Sequence, residues 1–141
     1  MIQKIISGGQ TGADQAALDV AIKLDIPHGG WIPRGRKTEN GILPKKYNLK
    51  ELTTSSYPVR TEKNVVDSDG TLILTHGSLT GGSALTKKYA KQHSRPCLHI
   101  DLHKTNAFKA SLDINAWIEE NSISVLNVAG TRASKDPKIH D

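Results

Sequence analysis

The sequence predicts an α/β fold in which a mainly parallel sheet lies between two layers of helices. Short aliphatic runs alternate along the chain with segments whose apolar residues recur at three- and four-residue steps. The runs end in glycine-rich or small-residue turns. Aromatic residues make up only 4% of the 141 positions, so the core is aliphatic, as packed parallel sheets commonly are. A chain of this length suits one domain, taken as 1–141.

Ile2 to Ser7 is an isoleucine-rich run cut off by Gly8-Gly9, which reads as a buried first strand entering a tight turn. Ala13, Ala16, Ala17, Val20, Ala21 and Leu24 then give a helix one buried face, closed by Asp25 and Pro27. From Ile26 to Pro58 the chain is rich in Gly, Pro and Lys and loses periodicity. A short strand near His28 to Trp31 followed by a long loop is expected there, and such loops are usually functional or mobile. Val65 and Val66 lie in a polar segment with room for a single helical turn.

Asp69-Gly70 then turns the chain into Thr71-Leu72-Ile73-Leu74-Thr75, the clearest buried strand. His76 to Ser83 is a second glycine-rich loop, followed by a helix from Ala84 to about His93, then Pro96 and a strand from Cys97 to Asp101. Phe108, Leu112, Trp117 and Ile118 mark the apolar face of the next helix. Ser124 to Val128 is a last strand running into Ala129-Gly130-Thr131-Arg132, and Ala133 to Asp141 reads as a further short helix or a frayed tail. Strands alternating with helices require right-handed crossovers, hence a Rossmann-like three-layer sandwich.

Composition narrows the function. No apolar run approaches the ~20 residues a bilayer span needs, and the Met1-Ile2-Gln3-Lys4 start leads into a strand rather than an apolar leader, so a cytoplasmic protein is expected. A lone Cys97 excludes an intrachain disulfide and a Cys-rich metal site, and the six histidines lack metal-ligand spacing, so no metal centre is expected. The net charge of +5 is scattered in groups such as Arg34-Gly35-Arg36-Lys37 and Lys87-Lys88. Such scatter suits a basic pocket for a phosphorylated small molecule and argues against nucleic acid as partner.

Three strands end in small-residue loops: Gly8-Gly9-Gln10-Thr11-Gly12, then Gly77-Ser78-Leu79-Thr80-Gly81-Gly82-Ser83, then Ala129-Gly130-Thr131-Arg132. In a parallel sheet these share the carboxyl edge, where following helices offer unpaired N–H groups and positive dipole ends to an anion. Thr11, Thr80 and Ser83 add hydroxyls, while Arg132 and Arg34, with Arg36, are candidate phosphate donors. Asp14, in the first turn of the first helix, is expected either to cap amides or to touch the ligand. Asp14, Glu39 and Asp67 are the candidate acid or base groups. Trp31 is read as a core or interface residue, with base stacking as the alternative. Neither a P-loop nor a G-x-G-x-x-G fingerprint is present.

The chain resembles the circularly permuted YpsA-type branch of the SLOG superfamily over nearly its whole length. The resemblance lies in Ile5-Ile6-Ser7-Gly8-Gly9-Gln10-Thr11-Gly12-Ala13-Asp14, His28-Gly29-Gly30-Trp31-Ile32-Pro33-Arg34-Gly35-Arg36, Asp67-Ser68-Asp69-Gly70-Thr71-Leu72-Ile73-Leu74 and Leu79-Thr80-Gly81-Gly82-Ser83-Ala84-Leu85-Thr86. Leu126 to Arg132 then looks like the first strand of unpermuted relatives moved to the end. The resemblance implies a Rossmann-like homo-oligomer that binds a nucleotide-derived ligand, molybdenum cofactor or molybdate. It also implies an alternative, phosphoribohydrolase-like cleavage of a nucleotide. Hydrolytic relatives carry a P-G-G-x-G-T-x-x-E loop, and Leu79 to Thr86 keeps the double glycine without the glutamate. A missing carboxylate there argues against glycosidic hydrolysis.

Overall fold

The structure, a computed structural model, describes residues 2–136 and 139. The elements are β1 (Lys4–Ile6), α1 (Ala13–Lys23), β2 (His28–Gly29), β3 (Trp31–Ile32), β4 (Lys37–Thr38), β5 (Gly41–Ile42), β6 (Lys50–Glu51), α2 (Tyr57–Val66), β7 (Gly70–Thr75), α3 (Gly81–Gln92), β8 (Cys97–Asp101), α4 (Ala107–Glu120) and β9 (Val125–Gly130). The central sheet runs β2-β1-β9-β7-β8 with every neighbouring pair parallel. The expected α/β sandwich is therefore present, with the last strand at its centre. Counting β9 as the first strand turns the order into 3-2-1-4-5, that of doubly wound dinucleotide-binding sheets.

Side chains alternate across each strand and feed two different layers. Ile5, Leu72, Ile100, Leu126 and Val128 face α1 and α4, where Ala21 and Ala110 complete the main core. Thr71, Ile73 and Asn127 point the other way, toward α2 and α3, which pack on each other. Asn127 Nδ2 donates to Thr71 Oγ1 at 3.2 Å, so the polar pair is satisfied within the sheet. No helix among the described residues is long and apolar enough to cross a membrane.

Three segments differ from the sequence expectation. Where one turn was expected around Val65, α2 runs for 10 residues. Its start is conventional, with Ser56 Oγ accepting from Val59 N–H and Pro58 in the first turn. Its buried residues are Thr61, Asn64 and Val65, too polar to register as an apolar stripe. Asn64 is held because its amide accepts from Trp31 N–H at 2.8 Å and donates to Trp31 C=O at 3.1 Å, as a neighbouring strand would. Second, α3 begins at Gly81, not at Ala84, so Gly81 and Gly82 of the second loop lie in a helical first turn.

Third, the segment from Ile26 to Pro58 is folded. β3 pairs with β6, β4 with β5, and Leu18, Ile32, Leu43, Tyr47 and Leu49 form a second core. The Arg36 guanidinium donates to the carbonyls of Leu49, Pro44 and Tyr47 at 3.2, 3.2 and 2.9 Å, which commits it to the loop. Of the helix or tail expected at Ala133 to Asp141, the described part turns at residues 133–135 and the rest lies largely outside the described residues.

Ile73 is fully buried at the centre of β7. Ile73→Ala is expected to cost about 2–5 kcal/mol in urea unfolding. Phe108→Ala, at a side chain 75% exposed, should change stability by less than about 0.5 kcal/mol.

Candidate functional site

Parallel strands put the loops after β1, β7 and β9 at one edge of the sheet, where α1, α2 and α3 also begin. A cleft of about 280 Å³ opens there. Gly8, Gln10 and Asp14 line it from the first loop and α1, Tyr57 and Arg60 from α2, and Thr80 to Ser83 from the start of α3. Gly130 and Arg132 close it from β9 and its exit, joined by Lys135. The two glycine-rich loops thus meet at one site.

Their roles differ. Most amides of the first loop and the head of α1 are consumed by the protein itself: Ala13 N–H donates to Thr131 C=O at 3.2 Å, Gln10 N–H to Asp14 Oδ2 at 3.2 Å, and Thr11 N–H to Gln10 Oε1 at 3.1 Å, while among the described residues those of Gly12 and Asp14 have no acceptor. A Cβ on Gly12 would lie 2.3 Å from Thr131 C=O, so the chain leaving β9 passes too close for any side chain. Thr11 Oγ1 accepts from Ala133 N–H at 3.2 Å, and Gly9 packs on Leu49 and Leu43. Thr11 and Gly12 therefore build the seam between the first loop and the chain leaving β9, Gly9 packs on the second core, and none of the three lines the cleft. The expectation of unpaired amides in that loop is thereby narrowed to Gly12 N–H.

The second loop keeps its amides. Thr80 N–H donates to Ser83 Oγ at 3.1 Å, but among the described residues the Gly81 and Gly82 N–H groups have no acceptor. A Cβ built on Gly82 meets nothing within 4 Å, so its backbone faces open space in the cleft. Gly77, at the base of this loop, lies outside the cleft and donates to Asp101 Oδ1 at 2.8 Å. That bond and one from His103 N–H hold the Asp101 carboxyl below its ordinary range.

Asp14 and Arg60 form a buried ion pair in the cleft wall, Nη1 to Oδ2 at 3.2 Å. The guanidinium lies against bare backbone, since a Cβ on Gly8 would overlap Nη1 at 1.6 Å. Burial pushes the Asp14 carboxyl up; Arg60 and the N–H groups of Gln10 and Gly8 oppose that without cancelling it. Arg60 Nε is buried with no partner among the described residues, and Cζ stands 5.6 Å from the Tyr57 ring centroid. Sequence reasoning missed Arg60, Tyr57 and Lys135. The Ser56 and Pro58 start signals would have exposed α2, and with it Arg60 one turn ahead of Asn64.

The remaining candidates lie elsewhere. Glu39 accepts from Ser134 N–H and Oγ at 2.9 and 2.7 Å and sits 4.0 Å from Arg132 Nε, so it ties down the chain after β9. Asp67 accepts from Trp31 Nε1 at 2.6 Å, and Lys63 stands over the same ring, which occupies Trp31 away from the cleft. Arg34 is exposed and does not line the cleft. Among the described residues no group of three or more His, Cys, Asp or Glu side chains is placed to hold a metal ion.

The sheet order with β9 as displaced first strand is the topology of a circular permutation. A family model for circularly permutated YpsA SLOG proteins matches residues 5–141. The chain belongs to this family. A solved structure from Syntrophus aciditrophicus SB, named "Putative molybdenum carrier protein", is similar to this SLOG chain at 60% identity and a TM-score of 0.98. The match covers 99% of this chain and 88% of that one. No curated protein matches the chain.

Glu39 yields a pH prediction. Burial acts to raise its carboxyl, but hydrogen bonds from Ser134 and Thr11, with Arg132 nearby, hold it below the ordinary value. A lowered folded value means stability present above the ordinary carboxylate range and lost as pH falls through the lowered one. Glu39→Gln should cost about 1 kcal/mol at pH 7, and thermal melts should show the gap closing as the wild type is acidified.

Proposed function

We propose that the protein binds and carries a small phosphate-bearing ligand, nucleotide-derived or a molybdenum cofactor, in the cleft at the carboxyl edge of the sheet. One observation carries the reading: the Gly81 and Gly82 amides open α3 into a cleft lined by Arg60, Arg132 and Lys135. A helix N-terminus with unpaired amides favours an anion, and cations on the facing wall add charge-assisted bonds. Thr80 and Ser83 are the hydroxyl neighbours of that site, and Gly8 and Gly130 also line it.

The name of the Syntrophus protein supports molybdenum as part of the cargo. The donors in the cleft suit an oxyanion: amides and guanidinium groups hold phosphate or molybdate oxygens, and a molybdenum cofactor would be held through its pterin phosphate. A hydrolytic reading rests on Asp14, the one carboxylate of the three candidates that lines the cleft. Release of free base from AMP by the wild type, lost in Asp14→Asn, would establish that alternative.

Gly82→Ala separates binding from folding. The new methyl enters the cleft without touching protein, and replacing a helical glycine by alanine adds about 0.5–1 kcal/mol of stability. The melting temperature should hold or rise while affinity for inorganic phosphate and AMP, measured by calorimetry, falls about tenfold. Unchanged affinity for both would refute the proposed anion site.

A further inference from the structure

The cleft is larger than an oxyanion requires. Its volume of about 280 Å³ approaches the ~300 Å³ at which small-molecule sites begin, whereas a tetrahedral oxyanion takes only a small multiple of the ~30 Å³ share of one water. The lining is also two-sided. Amides and cations gather around Gly81, Gly82, Arg132 and Lys135, while Tyr57, Pro58 and Leu85 add apolar surface.

Tyr57 is the large ring on the apolar side. It is 46% exposed although it lines the cleft. It occupies the first turn of α2, and the guanidinium carbon of Arg60 stands 5.6 Å from its centroid. Arg60 is itself fixed by Asp14 at 3.2 Å, so a buried ion pair braces an aromatic plate at the mouth of a phosphate-sized cradle. Planar heterocycles stack on such plates with little regard to their edge chemistry.

We propose that Tyr57, braced by Arg60, is the stacking surface for a planar heterocyclic ring, so that the ligand is a phosphorylated heterocycle and not a bare oxyanion. This rests on the phosphate reading of the cleft and adds the ring subsite to it. The ring lies along α2 while the phosphate lies on the amides of α3. Arg60 serves as a positioning residue for the plate.

The test is calorimetric titration of the purified protein with AMP, UMP, ribose 5-phosphate, inorganic phosphate and molybdate, repeated with Tyr57→Ala and Tyr57→Phe. At least one of AMP and UMP should bind about tenfold or more tightly than ribose 5-phosphate. Tyr57→Ala should remove most of that advantage while weakening ribose 5-phosphate far less, and Tyr57→Phe should retain it. Thermal melts establish that each variant is folded, and the Phe variant carries the test if the Ala variant is not. Equal binding of ribose 5-phosphate and both nucleotides, equal losses for all ligands in Tyr57→Ala, or tighter binding of molybdate than of either nucleotide would overturn the ring subsite. The first two results leave the phosphate site standing. Failure of every phosphate compound to bind would overturn both.

Discussion

The insertion of β9 between β1 and β7 is the constraint on which the rest of the structure depends. Its backbone bonds to both neighbours, so among the described residues strand pairing joins the two halves of the sheet through it alone. Asp69, just before β7, fixes the entry by accepting from Ser124 and Val125 N–H at 3.0 and 2.8 Å. Gly130 fixes the exit, where an added Cβ would fall 2.1 Å from Leu74 C=O and 2.7 Å from Ala13 Cβ. The same strand supplies part of the cleft lining from Asn127 to Gly130. Sheet closure and site formation are therefore one event, made between segments far apart in sequence, which entails slow, non-local pairing.

Electrostatics divide the carboxyl edge into an internal and an external part. The start of α1 is partly neutralised from within, by Thr131 C=O and the Asp14 carboxylate. The start of α3 keeps its amides for whatever enters the cleft, with Arg132 and Lys135 alongside. Asp14 belongs to both parts, because its carboxylate satisfies Gln10 N–H and also anchors Arg60 in the cleft wall. Breaking such a buried pair on one side leaves an uncompensated charge, which is far more costly than exchanging a surface ion pair.

Much of this was legible in the residues. Aliphatic runs marked β1, β7, β8 and β9, and glycine after each of three of them located the edge where ligands bind in α/β sheets. The cleft-lining positions Asp14, Thr80, Gly81, Gly82, Ser83 and Arg132 were legible because local pattern placed them close to strand ends. What escaped was set by distant contacts. Thr131 fills the dipole of a helix over a hundred residues earlier in the chain, and no local pattern announces that. Arg36 looked like a ligand donor but is enclosed by the carbonyls of its own loop. α2 stayed hidden because its buried face carries the polar Thr61 and Asn64, the latter satisfied by the distant Trp31 backbone, and Arg60 and Tyr57 were hidden with it.

The Thr131 carbonyl at the head of α1 acts as a tethered guest. Because it is delivered by the chain itself, its local concentration exceeds what a dissolved competitor reaches at ordinary levels, and the missing side chain at Gly12 is what lets it come so near. The first amide of α1 is thus engaged by the chain itself, whereas that of α3 is not. The covalent backbone thereby decides which of the two glycine-led helix starts keeps its first N–H unengaged.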